Sequence, residues 1–524
     1  MVQSAAPSSP TSHQERMLLL GLGLATGMEF YVADSMNLVL VDLTGTLGVS
    51  LDQASWILTT YSLALFLGVP VSGWMAGHFG PKRYLIGSVA LFAMASVGCM
   101  ISPGLETLLI CRVVQGFAAS ALITWWRSTI YIVLPRPHRS GNMMRASILL
   151  SLSSATGLIV SGLIAEYLNW RLIFVPALLF ALGAIWLLAR YYPPCPPFTS
   201  ERLRTSDWQG MILLMVAVAS LQILLSRGEI DDWFASSHIR TLALLGVGAL
   251  VLFLLWQLHP RNRNPLLLLT VLRDRLVLSA AALGIFTGMI LSGSLFVLPE
   301  FLRGAASQTL SASQAGRLMA AYAVAAAVVR SVSGQLLSRT GQRKALAIAM
   351  ILLSVSMLLL NRLMTADTPA AYYMPALILY GACQAIFLPS VGSGTMSRVS
   401  DEKFLDGVTL YMTFRQFGAS LGVALLTILL ERRETLHSSR LYEALRAGQG
   451  TTEQWMRVGA QTLAGRDGFT PHRAQEGALD LLAHAGWQQV ETLSYADAFT
   501  FMAVIAVITL FVIPLMPPTP VVKK

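Results

Sequence analysis

The chain has 524 residues, of which 55% are hydrophobic and only 12% are charged. Soluble proteins carry about 25% charged residues, so this composition excludes a water-soluble globular protein and indicates an integral membrane protein. The formal net charge of +10 would suggest nucleic-acid binding in a soluble chain, but here the Lys and Arg residues lie between apolar segments, where they set membrane orientation.

The first residues and the cysteines carry no site. Residues 1–16, MVQSAAPSSPTSHQER, are polar and rich in Ser and Pro, which is unlike a cleavable signal peptide and predicts a short disordered cytoplasmic tail. The four cysteines, Cys99, Cys111, Cys195 and Cys383, form no CxxC pair. The sequence therefore indicates neither a metal site nor a disulfide framework, and we expect no cofactor.

Fourteen apolar segments approach the length of about 20 residues that crosses a bilayer. They begin near residues 17, 54, 84, 107, 147, 170, 209, 240, 276, 317, 344, 372, 405 and 497. With the amino terminus inside, about 20 Lys and Arg residues fall in inner connections and about six in short outer loops, which predicts two cytoplasmic chain ends. The segment 432–495 then falls outside, and its helical spacing of apolar residues predicts amphipathic helices.

A Gly-rich helix end followed by two basic residues occurs twice, as SGWMAGHFGPKR at 72–83 and as SGQLLSRTGQRK at 333–344. The copies are 261 positions apart, and the same shift carries Gly157 to Gly418. One offset in two separate helix regions indicates an internal duplication. Spans one to six therefore correspond to spans nine to fourteen, and spans seven and eight are an insertion between Pro- and charge-rich boundaries.

This duplication predicts the domain organisation. The cytoplasmic tail of residues 1–16 precedes an N-terminal six-helix bundle over 17–192. A linker with the two inserted helices occupies 193–275. The C-terminal six-helix bundle covers 276–524 and includes 432–495 as an extracytoplasmic helical loop.

Several motifs resemble the major facilitator superfamily. GWMAGHFGPKR is similar to the family's loop between helices two and three, and CRVVQGFAASAL is similar to its helix-four Arg motif. ATGLIVSGLIAEYLNWRLIFVPA, SASQAGRLMAAYAVAAA and FRQFGASLGVALL resemble the fourteen-span drug/proton antiporters of the EmrB multidrug-efflux type. The resemblance covers nearly the whole chain. It implies an all-α membrane fold of two duplicated six-helix bundles plus two inserted helices, with 14 transmembrane helices.

The chain departs from this family at three places. Gly77-His78 stands where the loop motif usually has Asp-Arg, and Gly157-Leu158 stands where helix five usually has Gly-Pro. On helix one, Asp34 precedes Asn37 by three residues, where the family usually has five. These differences affect the cytoplasmic charge lock, the bend of helix five and the assignment of proton coupling to Asp34.

The resemblance implies secondary active efflux of lipophilic drugs in exchange for protons by alternating access, in a bacterial inner membrane, with antibiotic resistance as the consequence. The alternative is a lipid or fatty-acid flippase, or a passive facilitator without proton coupling. The sequence contains no GxxxxGK[ST] loop of a primary pump and no HExxH motif. No Ser/His/Asp cluster stands out either, so we expect no enzyme activity.

Ionisable residues inside a span cost about 2.5 to 3.5 kcal/mol on insertion scales, so those that the duplication did not copy are functional candidates. Glu29 and Asp34 on the first span are predicted to carry protons, with Arg112 tuning their affinity. Five positions place the two acids about 140° apart and roughly 7.5 Å along the helix, so we do not expect a shared proton. A buried ion pair that only fixes helix positions is the alternative.

Interior arginines outnumber these acids, which favours lipophilic anions or weak acids as substrates. The predicted substrate cavity consists of Tyr31, Asn37, Gln115, Trp126, Arg127, Arg330, Tyr322, Tyr411 and Arg415. Each aromatic residue taken singly also fits a packing role.

Small residues four positions apart give a helix a flat face that a neighbour can approach closely. Packing and gating are predicted for Gly73, Gly77, Gly80, Gly157, Ser161, Gly334, Gly341, Gly418 and Gly422. Packing is the plain interpretation, and the functional one is that such faces let helices rock during alternating access.

The predicted partners are small lipophilic substrates, protons and membrane lipids, without nucleic acid. The resemblance to EmrB-type exporters includes the outer loop and implies docking to an EmrA-type periplasmic adaptor and an outer-membrane channel. A solvated helical cap over the outer mouth is the alternative.

Overall fold

The computed structural model describes residues 12–194, 207–228, 231–262, 265–305, 310–365, 368–393, 401–466 and 470–516. Cys195 and residues 1–11 of the predicted tail lie outside these ranges. Within them the chain forms α-helices with short 3₁₀ and π turns, and fourteen helices are long and apolar enough to cross a membrane. The predicted number of spans is therefore confirmed.

The first half contains six helices, followed by the two inserted ones. They are α1 (Ser12–Leu47), α2 (Leu51–Phe79), α3 (Pro81–Met100), α4 (Leu105–Val133), α5 (Arg136–Tyr167), α6 (Phe174–Tyr191), α7 (Trp208–Arg227) and α8 (Ser237–Leu258). The second half consists of α9 (Arg275–Glu300), α10 (Ala312–Thr340), α11 (Gln342–Leu363), α12 (Met374–Leu388), α13 (Asp401–Ala447), α14 (Gln449–Arg466) and α15 (Pro471–Val512). All except α14 contain a candidate span.

Helix α1 begins earlier than the sequence predicts. Residues 12–16, assigned above to a disordered tail, form its first turn. Glu15 Oε1 lies 3.0 Å from His138 Nδ1, and the ring of His13 contacts Tyr191 with centroids 6.0 Å apart. These contacts with α5 and α6 hold the polar turn in a helix.

Each half packs as its own bundle, and the halves meet along two seams. In the first half α1 packs on α5 and α6, and α2 packs on α4; in the second, α9 packs on α13, and α10 packs on α12. One seam joins α5 to α10, and the other joins α2 to α13. Helix α7 packs on α2 and α13, so the inserted pair covers the second seam.

The two halves repeat local structure at the offset of 261 residues. Ser50 caps α2 and Ser311 caps α10, and each forms a reciprocal capping box with the Gln three residues later. Such boxes satisfy backbone donors that the first helical turn leaves free. Gly80 and Gly341 have φ of 85° and 77°, a left-handed conformation that favours glycine, and each precedes the next helix.

The repeated basic turn anchors the last helix of each half. Lys82 Nζ donates to the carbonyl oxygens of Ala189 and Tyr192, at 2.8 and 2.9 Å. Arg343 donates in the same way to the carbonyls of Pro514 and Met516, at 2.9 and 2.6 Å. Cations suit these positions because the last carbonyls of a helix lack intrahelical partners.

Close helix contacts occur at several of the predicted glycines. A Cβ on Gly157 of α5 would lie 2.9 Å from the carbonyl oxygen of Tyr31 on α1. Gly418 and Gly422 of α13 meet the backbone of α9 in the same way, at Ile285 and Met289. Any side chain at these positions would force the helices apart.

The other predicted glycines are less constrained. A Cβ on Gly73 would meet only Thr409 Oγ1, at 3.9 Å, and Gly77 is buried on α2. A Cβ on Gly334 would lie 3.1 Å from Met144 Sδ across the α5–α10 seam. Ser161 donates to the carbonyl of Gly157, at 2.5 Å, so its hydroxyl is satisfied within its own helix.

Asp207 holds the inserted pair together at the start of α7. Its carboxylate accepts hydrogen bonds from Trp256 Nε1 at 2.7 Å, Gln257 Nε2 at 2.6 Å and Asn262 Nδ2 at 2.9 Å. Partial burial opposes ionisation, but the hydrogen bonds from Trp256, the Gly210 backbone, Asn262 and Gln257 outweigh it and hold the pKa of Asp207 below its usual range.

A cavity between the two halves

A cavity of about 1300 Å³ lies between the two halves. Its wall is formed by α1, α2, α4 and α5 of the first half and by α9, α10 and α13 of the second, with further side chains from α7, α11 and α12. Cavities of this size are typical of small-molecule sites.

Most of the predicted site residues line this cavity. They are Glu29, Asp34, Asn37, Arg112, Trp126, Arg127, Tyr322, Arg330 and Arg415. The fold thus brings the two acids of α1 into one space with arginines from α4, α10 and α13.

Tyr31 and Tyr411 do not line the cavity, which corrects their predicted positions. Tyr31 is fully buried on another face of α1, where its ring contacts Phe180 of α6 edge-on with centroids 5.8 Å apart. Tyr411 is buried beside Gly284, where helices α13 and α9 pack closely. Both side chains fill the interior of their own half.

Gln115 is also absent from the cavity wall. It is fully buried and accepts a hydrogen bond from Arg112 Nη1 at 2.6 Å, while its amide nitrogen donates to Ser96 Oγ at 2.8 Å. Its polar groups are thus used to hold Arg112 and to join α4 to α3. Gln115 is a positioning residue in this structure.

Glu29 is connected to Arg112 through Tyr61. The Tyr61 hydroxyl donates to Glu29 Oε1 at 3.2 Å, and the Arg112 guanidinium lies 4.1 Å from the centroid of the Tyr61 ring. Arg112 also donates from Nε to the Ile57 carbonyl at 3.2 Å. A change in the charge of Glu29 therefore acts directly on the tyrosine that supports Arg112.

Asp34 has a different environment from Glu29. It is buried and accepts a hydrogen bond from the Ser154 hydroxyl of α5. Asn37, one turn further, donates to the Ala33 carbonyl at 2.9 Å, so its side chain stays close to α1. The two acids occupy separate hydrogen-bonded positions, as their 140° separation predicts.

Arg330 crosses the seam between the halves. Its Nη1 donates to the Ser147 carbonyl at 2.8 Å and to Ser151 Oγ at 2.6 Å, both on α5, while its buried Nε has no partner. Arg127 lies 4.3 Å from the centroid of the Trp126 ring on its own helix. Within the described ranges no carboxylate lies in ion-pair distance of Arg112, Arg127, Arg330 or Arg415.

Sequence reasoning missed four polar residues in the cavity wall. They are Tyr61, Gln222, Glu300 and Glu431. Tyr61 could have been found by the offset, because a shift of 261 carries it to Tyr322, which also lines the cavity. Glu300 lies at the end of a span, and Gln222 is uncharged and belongs to the insertion, so the search for uncopied mid-span charges passed over both.

The two ends of the cavity differ. At one end Arg303 forms a bidentate ion pair with Asp42, at 2.5 and 2.8 Å, and also donates to the Leu38 carbonyl. Nearby, Glu166 of α5 accepts from Ser311 Oγ at 2.5 Å. We call this the Arg303 end. The cavity reaches Arg139 and Gln342 at the opposite, Arg139 end.

The Asp42–Arg303 pair lies between equivalent positions of the two halves. The residues are 261 positions apart, the same offset that relates the basic turns. Two equivalent residues of a parallel repeat can touch only near the axis that relates the halves. The pair therefore ties the bundles together on that axis.

A model of the Major Facilitator Superfamily matches residues 22–423 of the chain. Because this match covers well over half of the chain and the described residues contain fourteen membrane-length apolar helices, the protein belongs to the major facilitator superfamily. It is a multi-pass membrane transporter and not an enzyme.

Relatives within this family agree with the predicted resemblance. The multidrug export protein EmrB of Escherichia coli K12 is 26% identical over 434 residues, which cover 82% of this chain and 83% of EmrB. The fatty acid resistance protein FarB of Neisseria gonorrhoeae is 27% identical over 425 residues, which cover 81% and 82%. The proton:xylose symporter XylE, 13% identical with a TM-score of 0.59 and 97% of each chain covered, shares the fold alone.

Proposed function

We propose that this transporter exports lipophilic anions or weak acids in exchange for protons by alternating access. The observation that carries the proposal is one cavity between the halves in which two carboxyl groups of α1 face four guanidinium groups. The names of EmrB and FarB associate relatives with multidrug export and fatty acid resistance. A fatty acid is a lipophilic weak acid, so both names fit this substrate class.

The protons are assigned to Asp34 and Glu29. Both line the cavity, each has a hydroxyl donor, and neither has a cation within ion-pair distance among the described residues. An intramembrane acid that faces a wet cavity can exchange protons with water. One of them takes a proton from the outer side and releases it to the inner side as substrate leaves outward, and Arg112 tunes its affinity through Tyr61.

The substrate anion is assigned to Arg127 and Arg330. Both are near the inner half of the cavity by helix position, with Arg127 about 9 Å from the end of α4. Glu300 and Glu431 belong to the opposite, Arg303 end. A cavity that is basic at one end and acidic at the other attracts an anion from the Arg139 end and protons from the Arg303 end.

The orientation is assigned by the distribution of basic residues. Both chain ends face the cytoplasm of a bacterium, the protein lies in the inner membrane, and the Arg139 end opens toward the cytoplasm. The Asp42–Arg303 pair then closes the outer end. The close Gly contacts of α5 with α1 and of α13 with α9 allow small rocking motions of each bundle.

Transport by purified protein in liposomes with an imposed pH gradient tests the proposal. The wild-type chain should concentrate dodecanoate only when the gradient is present. Asp34→Asn and Glu29→Gln should each reduce gradient-driven accumulation at least tenfold while dodecanoate binding persists. Equal transport without a gradient favours a flippase or facilitator, and unchanged accumulation in both variants would refute the proton assignment.

The outer helical cap is proposed to dock an EmrA-type adaptor that leads to an outer-membrane channel. The cap consists of the end of α13, α14 and the start of α15, and it exposes large apolar side chains such as Tyr442, Leu479 and Trp487. Deletion of residues 436–490 should abolish binding to a purified EmrA-type adaptor and leave substrate binding intact. Unchanged adaptor binding would leave the cap as a cover over the outer mouth.

A further inference from the structure

The inserted helix α7 contributes one side chain to the transport cavity. Gln222 lines the cavity although α7 lies outside both six-helix bundles, and it is only 8% exposed. Helix α7 reaches this position because it packs on both α2 and α13. Both of these helices also line the cavity, so α7 completes the wall at their seam.

The carboxamide of Gln222 faces this space without a protein partner. It makes no hydrogen bond with any residue in the described ranges, although it has two donors and an acceptor. A buried amide in a membrane helix normally finds a partner because an unsatisfied polar group is costly. Gln257 of α8 has such partners, since it binds Asp207 and the Leu267 backbone. Gln222 therefore has hydrogen-bonding capacity that only a cavity occupant can use.

Helix geometry separates Gln222 from the basic part of the cavity. The rings of Trp208 and Trp74 contact each other with centroids 6.2 Å apart, which places the start of α7 beside the end of α2. Gln222 follows Trp208 by fourteen positions, about 21 Å along the helix. Arg127 lies much nearer the Arg139 end, so the two side chains are separated by roughly 10 Å along the cavity.

We propose that Gln222 is a substrate-binding residue that selects elongated anions carrying a neutral hydrogen-bonding group away from the charged head. The anionic head binds at Arg127 and Arg330, the apolar middle crosses the cavity, and a hydroxyl or carbonyl at the far end pairs with the carboxamide. This inference rests on the proposed function, because it assumes the anion site. It makes the inserted pair part of the binding site as well as a cover for the seam.

Binding of paired acids to the purified full chain in detergent tests the inference. The probes are unbranched carboxylates of eight to sixteen carbons, each compared with its ω-hydroxy derivative of equal length. In the wild type at least one length should bind better as the hydroxy acid. Gln222→Met, which keeps the length of the side chain, should weaken that hydroxy acid about three- to tenfold and leave the parent acid unchanged.

Ser220→Ala is the matched control. Ser220 is a buried polar residue of the same helix, but it faces Gly246 of α8 and does not line the cavity. This variant should bind both acids like the wild type. Should the Met variant fail to fold, Gln222→Asn retains the amide and should move the preferred hydroxy acid to a longer chain.

The outcomes separate this inference from the proposed function. Wild-type protein that binds neither acid would overturn both. Wild-type protein that binds the acids, with the Met variant changing no hydroxy-acid preference or the Asn variant keeping the wild-type length preference, would overturn the role of Gln222 alone.

Discussion

The arginines of the cavity are held by groups that do not neutralise them. Arg330 is bound by a carbonyl and a hydroxyl of α5, Arg112 by a carbonyl, a Gln side chain and a tyrosine ring, and Arg127 lies over Trp126. Such partners fix the position of a guanidinium and leave its charge available. An anionic ligand is the group that completes these sites.

Arg330→Gln should weaken the binding of a lipophilic anion at least tenfold. The physical reason is the loss of a charge-assisted hydrogen bond, worth about 1.5 to 3 kcal/mol. The measurement is titration of purified protein with decanesulfonate, whose charge is permanent. Arg339→Gln is the control, because Arg339 is exposed on the same helix. Equal losses for decanesulfonate and uncharged decanol would contradict an anion site at Arg330.

Two acids and three mispositioned residues show what residue-scale reasoning can reach. A charge inside a span is so costly that its presence alone marked Glu29, Asp34 and the arginines as interior residues. Tyr31 and Tyr411 carry no such constraint, since an aromatic ring is equally stable against its own bundle and in a cavity wall. Their direction depends on how each helix is rotated, which the sequence of one chain does not specify.

At the scale of elements, short polar contacts fix the positions of long apolar helices. Lys82 and Arg343 each fasten the last helix of a half, and Asp207 fastens α7 to α8. Hydrophobic burial has little directional power within a bilayer, so such polar contacts carry much of the specificity of helix packing. The repeated basic turn thus has a structural role that its offset indicates.

Asp207→Asn should destabilise the inserted pair. The carboxylate accepts from several donors at once, and an amide would place its own donors against them, which costs about 2 kcal/mol. Because the folded-state pKa of Asp207 is lowered, its stabilisation is fully present above the unfolded pKa and is lost as pH falls through the folded pKa. Thermal unfolding in detergent at pH 7 should show a lower midpoint for the variant.

The difference between Asp207→Asn and the wild type should shrink below about pH 4, where the native carboxylate also takes up a proton. Asp232→Asn is the control, because Asp232 is exposed and its left-handed backbone suits Asn equally well. An Asp207 variant as stable as the wild type at pH 7 would refute the structural role of this carboxylate.

The Asp42–Arg303 pair should act as a latch at the Arg303 end. Asp42→Asn or Arg303→Gln removes one partner of a partly buried pair, so the opening of this end should become more frequent. Labelling of Asn37→Cys by a membrane-impermeant maleimide, in a chain whose native cysteines are replaced by Ser, should rise several-fold. The exchange Asp42→Arg with Arg303→Asp should restore slow labelling. Unchanged labelling in both single variants would contradict the latch.

At the scale of the whole molecule, the fold was largely predictable because a bilayer permits few solutions. Hydropathy predicts fourteen spans, and the offset of 261 residues predicts two parallel halves. The structure adds contacts that no periodicity contains. Asp42 and Arg303 have equivalent positions but different residue types, so a search for repeated residues passes over them, and Gln222 reaches the cavity only through the packing of α7 on α2 and α13.

The central claim is that solute and protons move in opposite directions through one cavity, and proton flux driven by a solute gradient tests it most directly. Liposomes loaded with decanesulfonate and a pH-sensitive dye begin with equal pH on both sides. The account predicts that solute efflux through the wild-type chain acidifies the interior, and that the Glu29→Gln, Asp34→Asn double variant abolishes the change. Solute efflux without proton movement, or with protons leaving alongside it, would contradict the account.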